Sequence, residues 1–168
     1  MRAVKLLAML ALVLGLAACG GTQLPSKFKT YDGPPITTIQ VQKAARKMYM
    51  LSGGQVVKMY DIALGFQPVG HKQFEGDGKT PEGTYYIDRR NPNSAFHLSL
   101  GVSYPNADDR INALANGKLP GGDIFIHGDS RGPKRQADWT AGCIAVTDAE
   151  IEDIYAMIRD GTVIQILP

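Results

Sequence analysis

Cys143 stands in "DWTAGCIAVTDAE" (138–150), among small residues and just ahead of what reads as a helix start. It is one of two cysteines in the chain; the three histidines are His71, His97 and His127. A thiol acts as a nucleophile when a base takes its proton, a further group orients that base, and amide donors receive the oxyanion. His127 is the best-placed base. It ends the apolar run "DIFIH" (123–127), precedes Gly128, and lies sixteen residues before Cys143, which is itself followed by the apolar "IAV". Two neighbouring strands ending at a common rim would set the two side chains together. Gly142 lets the backbone approach closely and offers an amide to an oxyanion. No acid occupies an obvious third position, so the Gly128 carbonyl is the nearest group to orient His127. A cysteine activated this way is expected to ionise below the unperturbed value of about 8.5.

Other fates are open to the same residues. A buried, unreactive thiol is the commoner role of a free cysteine, and a strand-end histidine is usually satisfied by its surroundings. Zinc is the other reading of a Cys/His set. No C-x-x-C, H-x-x-x-H or H-E-x-x-H pair occurs, so neither a metal nor another cofactor is expected.

The elements that must position these groups follow from composition and pattern. The chain has 168 residues, 44% hydrophobic and 20% charged, enough for one domain with one core. Residues 1–18 read as a leader: Arg2 and Lys5, an apolar run from Leu6 to Leu16, then small residues. That run is short for a membrane span of about 20 residues. Removing it takes two of the 18 basic residues and none of the 16 acidic ones, so the remainder is charge-balanced. Nothing in that balance favours nucleic acid as a partner. Residues 19–36 are rich in Gly, Pro and Ser and read as a flexible tether.

From Thr37 the pattern is mostly strand. "TTIQVQ" alternates, and "RKMYMLSGGQVVKMYDIALG" reads as a hairpin turning at Ser52-Gly53-Gly54. "GTYYI" (83–87) and "FHLSLGV" (96–102) read as further strands, separated from the hairpin by a Gly-rich loop, "HKQFEGDGKTPEG". "PNADDRINALANGK" predicts a short helix capped by Asn106. Thr147 and Glu150 form a capping box, and Ile151, Ile154, Tyr155 and Ile158 follow at helical spacing. Gly161 ends that helix, and "TVIQIL" closes the chain as a strand. The sum is a mainly β domain with one or two packed helices, of the α+β class.

"IHG" at 126–128 followed by "TAGCIAV" at 140–146 resembles the L,D-transpeptidase (YkuD-like) catalytic domain, whose signature is His-Gly, a variable loop, then Ser/Thr-x-Gly-Cys. "GHKQFEGDGKTPEGTYYI" (70–87), "FHLSLGVSYPNADDR" and "GGDIFIHG" are similar to a short, single-domain subgroup of envelope proteins, and the likeness runs over residues 37–168. The resemblance implies a β-sandwich or barrel and a peptidoglycan-modifying acyltransferase acting on stem peptides. Cys143 would be the nucleophile and His127 the general acid and base. Gly128 would orient His127 through its carbonyl, and the backbone at Thr140, Ala141 and Gly142 would form the oxyanion pocket. Two departures stand out. Ala141 replaces a histidine, and Ala145 an arginine, that many members carry. Hydrolysis of a peptidoglycan–protein bond or a peptide cross-link therefore stays open beside transfer, as does a peptidoglycan-binding lipoprotein with a silent thiol.

"LAAC" at 16–19 resembles the lipobox of bacterial lipoproteins, which implies lipid on Cys19 and a membrane anchor facing the periplasm. Gly20 and Gly21, in place of aspartate, lean towards the outer membrane. Candidate substrate contacts are Arg131 in "RGPKR", Tyr104, His97 and Trp139, the last either a cleft wall or a packing anchor. Lys79 and Thr80 carry less weight, and His71 could shape the cleft.

Overall fold

A computed structural model describes residues 26–129 and 138–168 of the chain. Its elements in order are β1 (Thr38–Gln42), β2 (Lys47–Ser52), β3 (Gln55–Asp61), β4 (Gly83–Asn91), β5 (Ser99–Val102), α1 (Ala107–Ala115), β6 (Phe125–His127), β7 (Ile144–Ala145), α2 (Asp148–Met157) and β8 (Val163–Leu167). The fold is mainly β with two helices, as the sequence predicts. The expected hairpin is β2–β3, turning through Gly53 and Gly54. Both helix starts carry the predicted caps: Asn106 with Asp109 on α1, and Thr147 with Glu150 on α2.

The eight strands form one sheet in the order β3-β2-β1-β8-β4-β5-β6-β7. The last strand in sequence inserts at its middle, parallel to β1 and antiparallel to β4. The sheet curls until its ends meet. Just beyond β3, Ala63 pairs with Ala145 of β7, through amide–carbonyl bonds of 2.9 and 2.8 Å in the two directions. Closure of this kind leaves fewer unpaired edges.

Strand alternation fills the interior. Ile39 and Val41 of β1, Met48 and Met50 of β2, and Ile164 and Ile166 of β8 are buried on one face. Ile151, Ile154 and Ile158 carry α2 onto the same core. Arg90 of β4 ties down the end of α2, donating to the carbonyls of Ile158 and Tyr155 with its guanidinium over the Tyr155 ring. By contrast α1 buries only Asp109 and Ala113.

Three readings need correction. α2 ends at Met157, with Ile158 an extended C-cap, rather than running to Gly161. The strand expected from Phe96 begins at Ser99, because His97 has φ of +69°, which an extended strand cannot contain. From Ser26 on, the segment expected to be a loose tether is held on the domain, with Lys29 paired to Glu152 and Asp153 of α2.

Since Ile154 is fully buried, Ile154→Ala is expected to cost about 2–5 kcal/mol of stability, measured as the loss of unfolding free energy in urea.

Candidate active site

β6 and β7 run parallel, with Ile126 opposite Ile144 and His127 opposite Ala145. Ile126 and Ile144 are fully buried in the core. The residues that alternate with them, His127 and Cys143, therefore lie on the other face. Cys143 sits one residue ahead of β7, diagonally across from His127. The two side chains thus share one face of one strand pair.

The imidazole of His127 is fixed. Its Nδ1 lies 2.6 Å from the Gly128 carbonyl oxygen. A carbonyl can only accept, so Nδ1 holds a proton, and in the neutral imidazole Nε2 is then the nitrogen with the lone pair. Phe96 stacks on the ring at 4.4 Å between centroids, and Trp139 meets it edge-on at 5.8 Å. These walls leave the histidine 3% exposed. Trp139 is thus a wall of the histidine's enclosure. Phe96 escapes sequence reasoning because it was assigned to a regular strand, whereas it stands in the turn before β5.

Cys143 is partly exposed. Its thiol points to the Asp123 carbonyl, with Sγ 3.4 Å from the oxygen. Asp123 adopts φ of +53°, a conformation unusual for a non-glycine residue, and so presents that carbonyl to the sulfur. Burial pushes the thiol above its ordinary pKa. The Phe125 amide and the cations Lys72 and Arg89 act in the opposite direction, while the Asp123 carboxylate adds to the rise. That direction runs against the expectation of a thiol ionising below its ordinary value.

The loop before Cys143 is braced on both sides. The Thr140 amide donates to the Leu64 carbonyl at 3.1 Å, and the Phe66 amide to the Thr140 carbonyl at 2.9 Å. The Thr140 hydroxyl donates to the Cys143 carbonyl at 2.7 Å and accepts from the Gly142 amide at 3.1 Å. Two of the amides expected to face an oxyanion, those of Thr140 and Gly142, are therefore engaged within the protein. Among the described residues, nothing accepts from the amides of Ala141 and Cys143. Gly142 has φ of +141°, and a Cβ there would lie 2.7 Å from the Lys79 carbonyl oxygen, so only glycine fits.

Lys79 belongs to the Gly-rich loop, which is pinned at both ends. The buried ammonium of Lys43 donates to the carbonyls of Gly70 and Thr80 and to the Glu82 carboxylate, at 2.6, 2.8 and 2.8 Å. Asp77 gathers the middle, accepting from the amides of Gln73, Phe74 and Lys79 and from the Lys72 ammonium. His71 accepts from the Glu82 amide through Nδ1, so its Nε2 proton goes to Asp109 at 3.0 Å. Its role is to lock loop to helix. The Thr80 hydroxyl is buried and accepts from the Gly65 amide. Lys43 carried no sequence signal, because nothing local marks a lysine whose partners lie 27 or more residues away.

Two substrate-contact candidates are placed elsewhere. Tyr104 is 4% exposed, and its hydroxyl donates to the Pro120 carbonyl, so it is a core residue. His97 lies outside the strands and bonds Glu152 of α2 through Nε2 at 2.8 Å. Arg131, with the rest of "RGPKR", and Cys19 lie outside the described residues.

The profile of the YkuD family, the L,D-transpeptidase catalytic domain, matches residues 36–166. The chain belongs to this family. Among curated proteins it is 31% identical over 137 residues to YafK of Escherichia coli (strain K12), assigned by name to the L,D-transpeptidases. That match covers 78% of this chain and 50% of YafK, so the chain spans about half the length of the curated relatives it matches. Among solved structures, the helical cell shape determining protein Pgp2 from Campylobacter jejuni superposes with a TM-score of 0.61 at 25% identity, over 81% of this chain and 49% of Pgp2. The L,D-transpeptidase from Xylanimonas cellulosilytica superposes with a TM-score of 0.52 at 16% identity, over 82% of this chain and 63% of that one. The curled sheet with its two helices is thus the fold of L,D-transpeptidases.

Burial penalises the charged sulfur, so the thiolate fraction at neutral pH is expected to fall below that of free cysteine. Iodoacetamide labelling should rise with pH through a midpoint above about 8.5. Labelling in urea should restore the ordinary midpoint. A folded-state midpoint below that of free cysteine would mean a preformed thiolate–imidazolium pair.

Proposed function

We propose that this L,D-transpeptidase-family domain transfers acyl groups on peptidoglycan stem peptides through a thioester on Cys143. The observation that carries the reading is the His127 Nδ1 bond to the Gly128 carbonyl, which leaves Nε2 basic on the face that also bears Cys143. His127 Nε2 takes the thiol proton as sulfur attacks the carbonyl at the L-centre of diaminopimelate in a tetrapeptide stem. The Cys143 amide, aided by that of Ala141, receives the developing oxyanion. The tetrahedral adduct collapses as His127 gives its proton to the leaving D-alanine amine, and a thioester remains. An acceptor amine then attacks, losing its proton to His127, and releases the thiol.

Water in the acceptor's place would make the same pair a hydrolase. Ala145, where many relatives have arginine, keeps that second outcome in view. Anchoring through lipid on Cys19, in the bacterial envelope and facing the periplasm, completes the proposal.

Incubation with a carbapenem is expected to add one drug mass to the wild-type protein and none to Cys143→Ala. An adduct on Cys143→Ala would overturn the assignment, and no adduct on either protein would favour a silent, peptidoglycan-binding thiol. His127→Ala should slow acylation by about 10²–10⁴-fold. Defined muropeptides, with and without an amine, separate the two reactions by mass: a cross-linked gain marks transfer, and loss of an existing bridge marks hydrolysis.

A further inference from the structure

An arginine from the middle of the sheet shares a row with the thiol. Arg89 of β4 is opposite Gly101 of β5, and Gly101 is opposite Phe125 of β6. Carrying the Ile126–Ile144 register back one residue sets Cys143 opposite Phe125. All four positions face away from the buried Ile126 and Ile144.

Arg89 reaches that face because β4 is bulged. Ile87 stands opposite Val102, both fully buried, yet Arg89 stands opposite Gly101, with Asp88 as the extra residue. In an unbroken strand, Arg89 would share the inward parity of Ile87; the inserted residue re-aims it. Gly101 supplies the path. A Cβ at that position would collide with Arg89 Cγ, so the side chain lies across β5 and its guanidinium rests 4.5 Å from the Phe125 ring centroid. Strands are spaced at about 4.8 Å, so the charge stands over the strand next to Cys143. Its present partners are Asp88 at 2.8 Å and Asp123 at 3.3 Å, and the Asp123 side chain is 91% exposed. Ion pairs this open to water are weak and readily exchanged.

We propose that Arg89 receives a carboxylate of the peptide whose carbonyl Cys143 attacks, an inference that rests on the acyl-transfer reading above. The two residues that flank the scissile bond each carry a carboxylate: the terminus of the leaving D-alanine and the D-centre carboxylate of diaminopimelate. A guanidinium offers either one a two-pronged donor. The basic charge that Ala145 does not supply from beside the cysteine arrives instead from β4.

Binding isolates this step from chemistry. In the Cys143→Ala protein, calorimetry would compare the tetrapeptide stem, its C-terminal amide and its diaminopimelate amide. The acid is expected to bind about tenfold tighter than one of the amides, and that amide identifies the carboxylate. Arg89→Gln should weaken the acid to the level of that amide while leaving the amide unchanged. Arg89→Lys, keeping charge without the fork, should fall between. Equal weakening of all three ligands by Arg89→Gln would mean that Arg89 merely braces the Asp123 turn, and would overturn the proposal. So would no change, or no binding to the Arg89 protein. Carbapenem acylation of the wild type judges the catalytic reading separately. An adduct without selective loss sinks only the Arg89 assignment; selective loss without an adduct sinks only the chemistry.

Discussion

A 2.6 Å bond from His127 Nδ1 to the Gly128 carbonyl fixes the state of the imidazole and, through it, what the neighbouring thiol can do. With the proton held on Nδ1, the opposite nitrogen is a base. No carboxylate is needed to orient it, because the strand's own next carbonyl does so. Phe96 stacks on the ring and Trp139 meets it edge-on, and the histidine is 3% exposed. Burial raises the pKa of the Cys143 thiol on the same face.

The two-residue β7 could not hold Cys143 in place alone. It is clamped between β6 on one side and residues 63–66 on the other, which close the curled sheet. Asp138 strengthens the clamp, accepting from the Leu64 amide and from the Arg46 guanidinium. The Gly-rich loop lies against Gly142 and is held by Lys43, Asp77 and His71. Irregular backbone surrounds the thiol, and each of these segments is fastened by buried polar groups rather than by regular strand pairing. The geometry of a loop-borne site then inherits the rigidity of the sheet.

Features set by local chemistry were legible in the chain. The capping boxes at Asn106 and Thr147, the Gly53-Gly54 turn, the apolar stripe of α2 and the closing strand depend on residues a few positions apart, and they appear where the pattern puts them. That β6 and β7 are neighbours, as the two short apolar runs beside His127 and Cys143 suggested, was legible as well. The partners of Tyr104 and His97 were not legible, because an aromatic hydroxyl or imidazole suited to a substrate is equally suited to a carbonyl or a carboxylate, and only packing chooses. The engagement of the Gly142 amide was not legible, because the Thr140 hydroxyl, itself part of the motif, turns inward and captures it.

The sequence by itself determined most of the element types and where both helices start. All of these follow from residue identity and short-range spacing, which a linear reading preserves. Tertiary structure alone decided which face each strand presents, where the sheet closes, and which distant cations approach the sulfur. Those outcomes turn on register and parity. One inserted residue at Asp88 turns Arg89 from the core face to the face that bears Cys143, and no feature of the strand's own composition marks that shift.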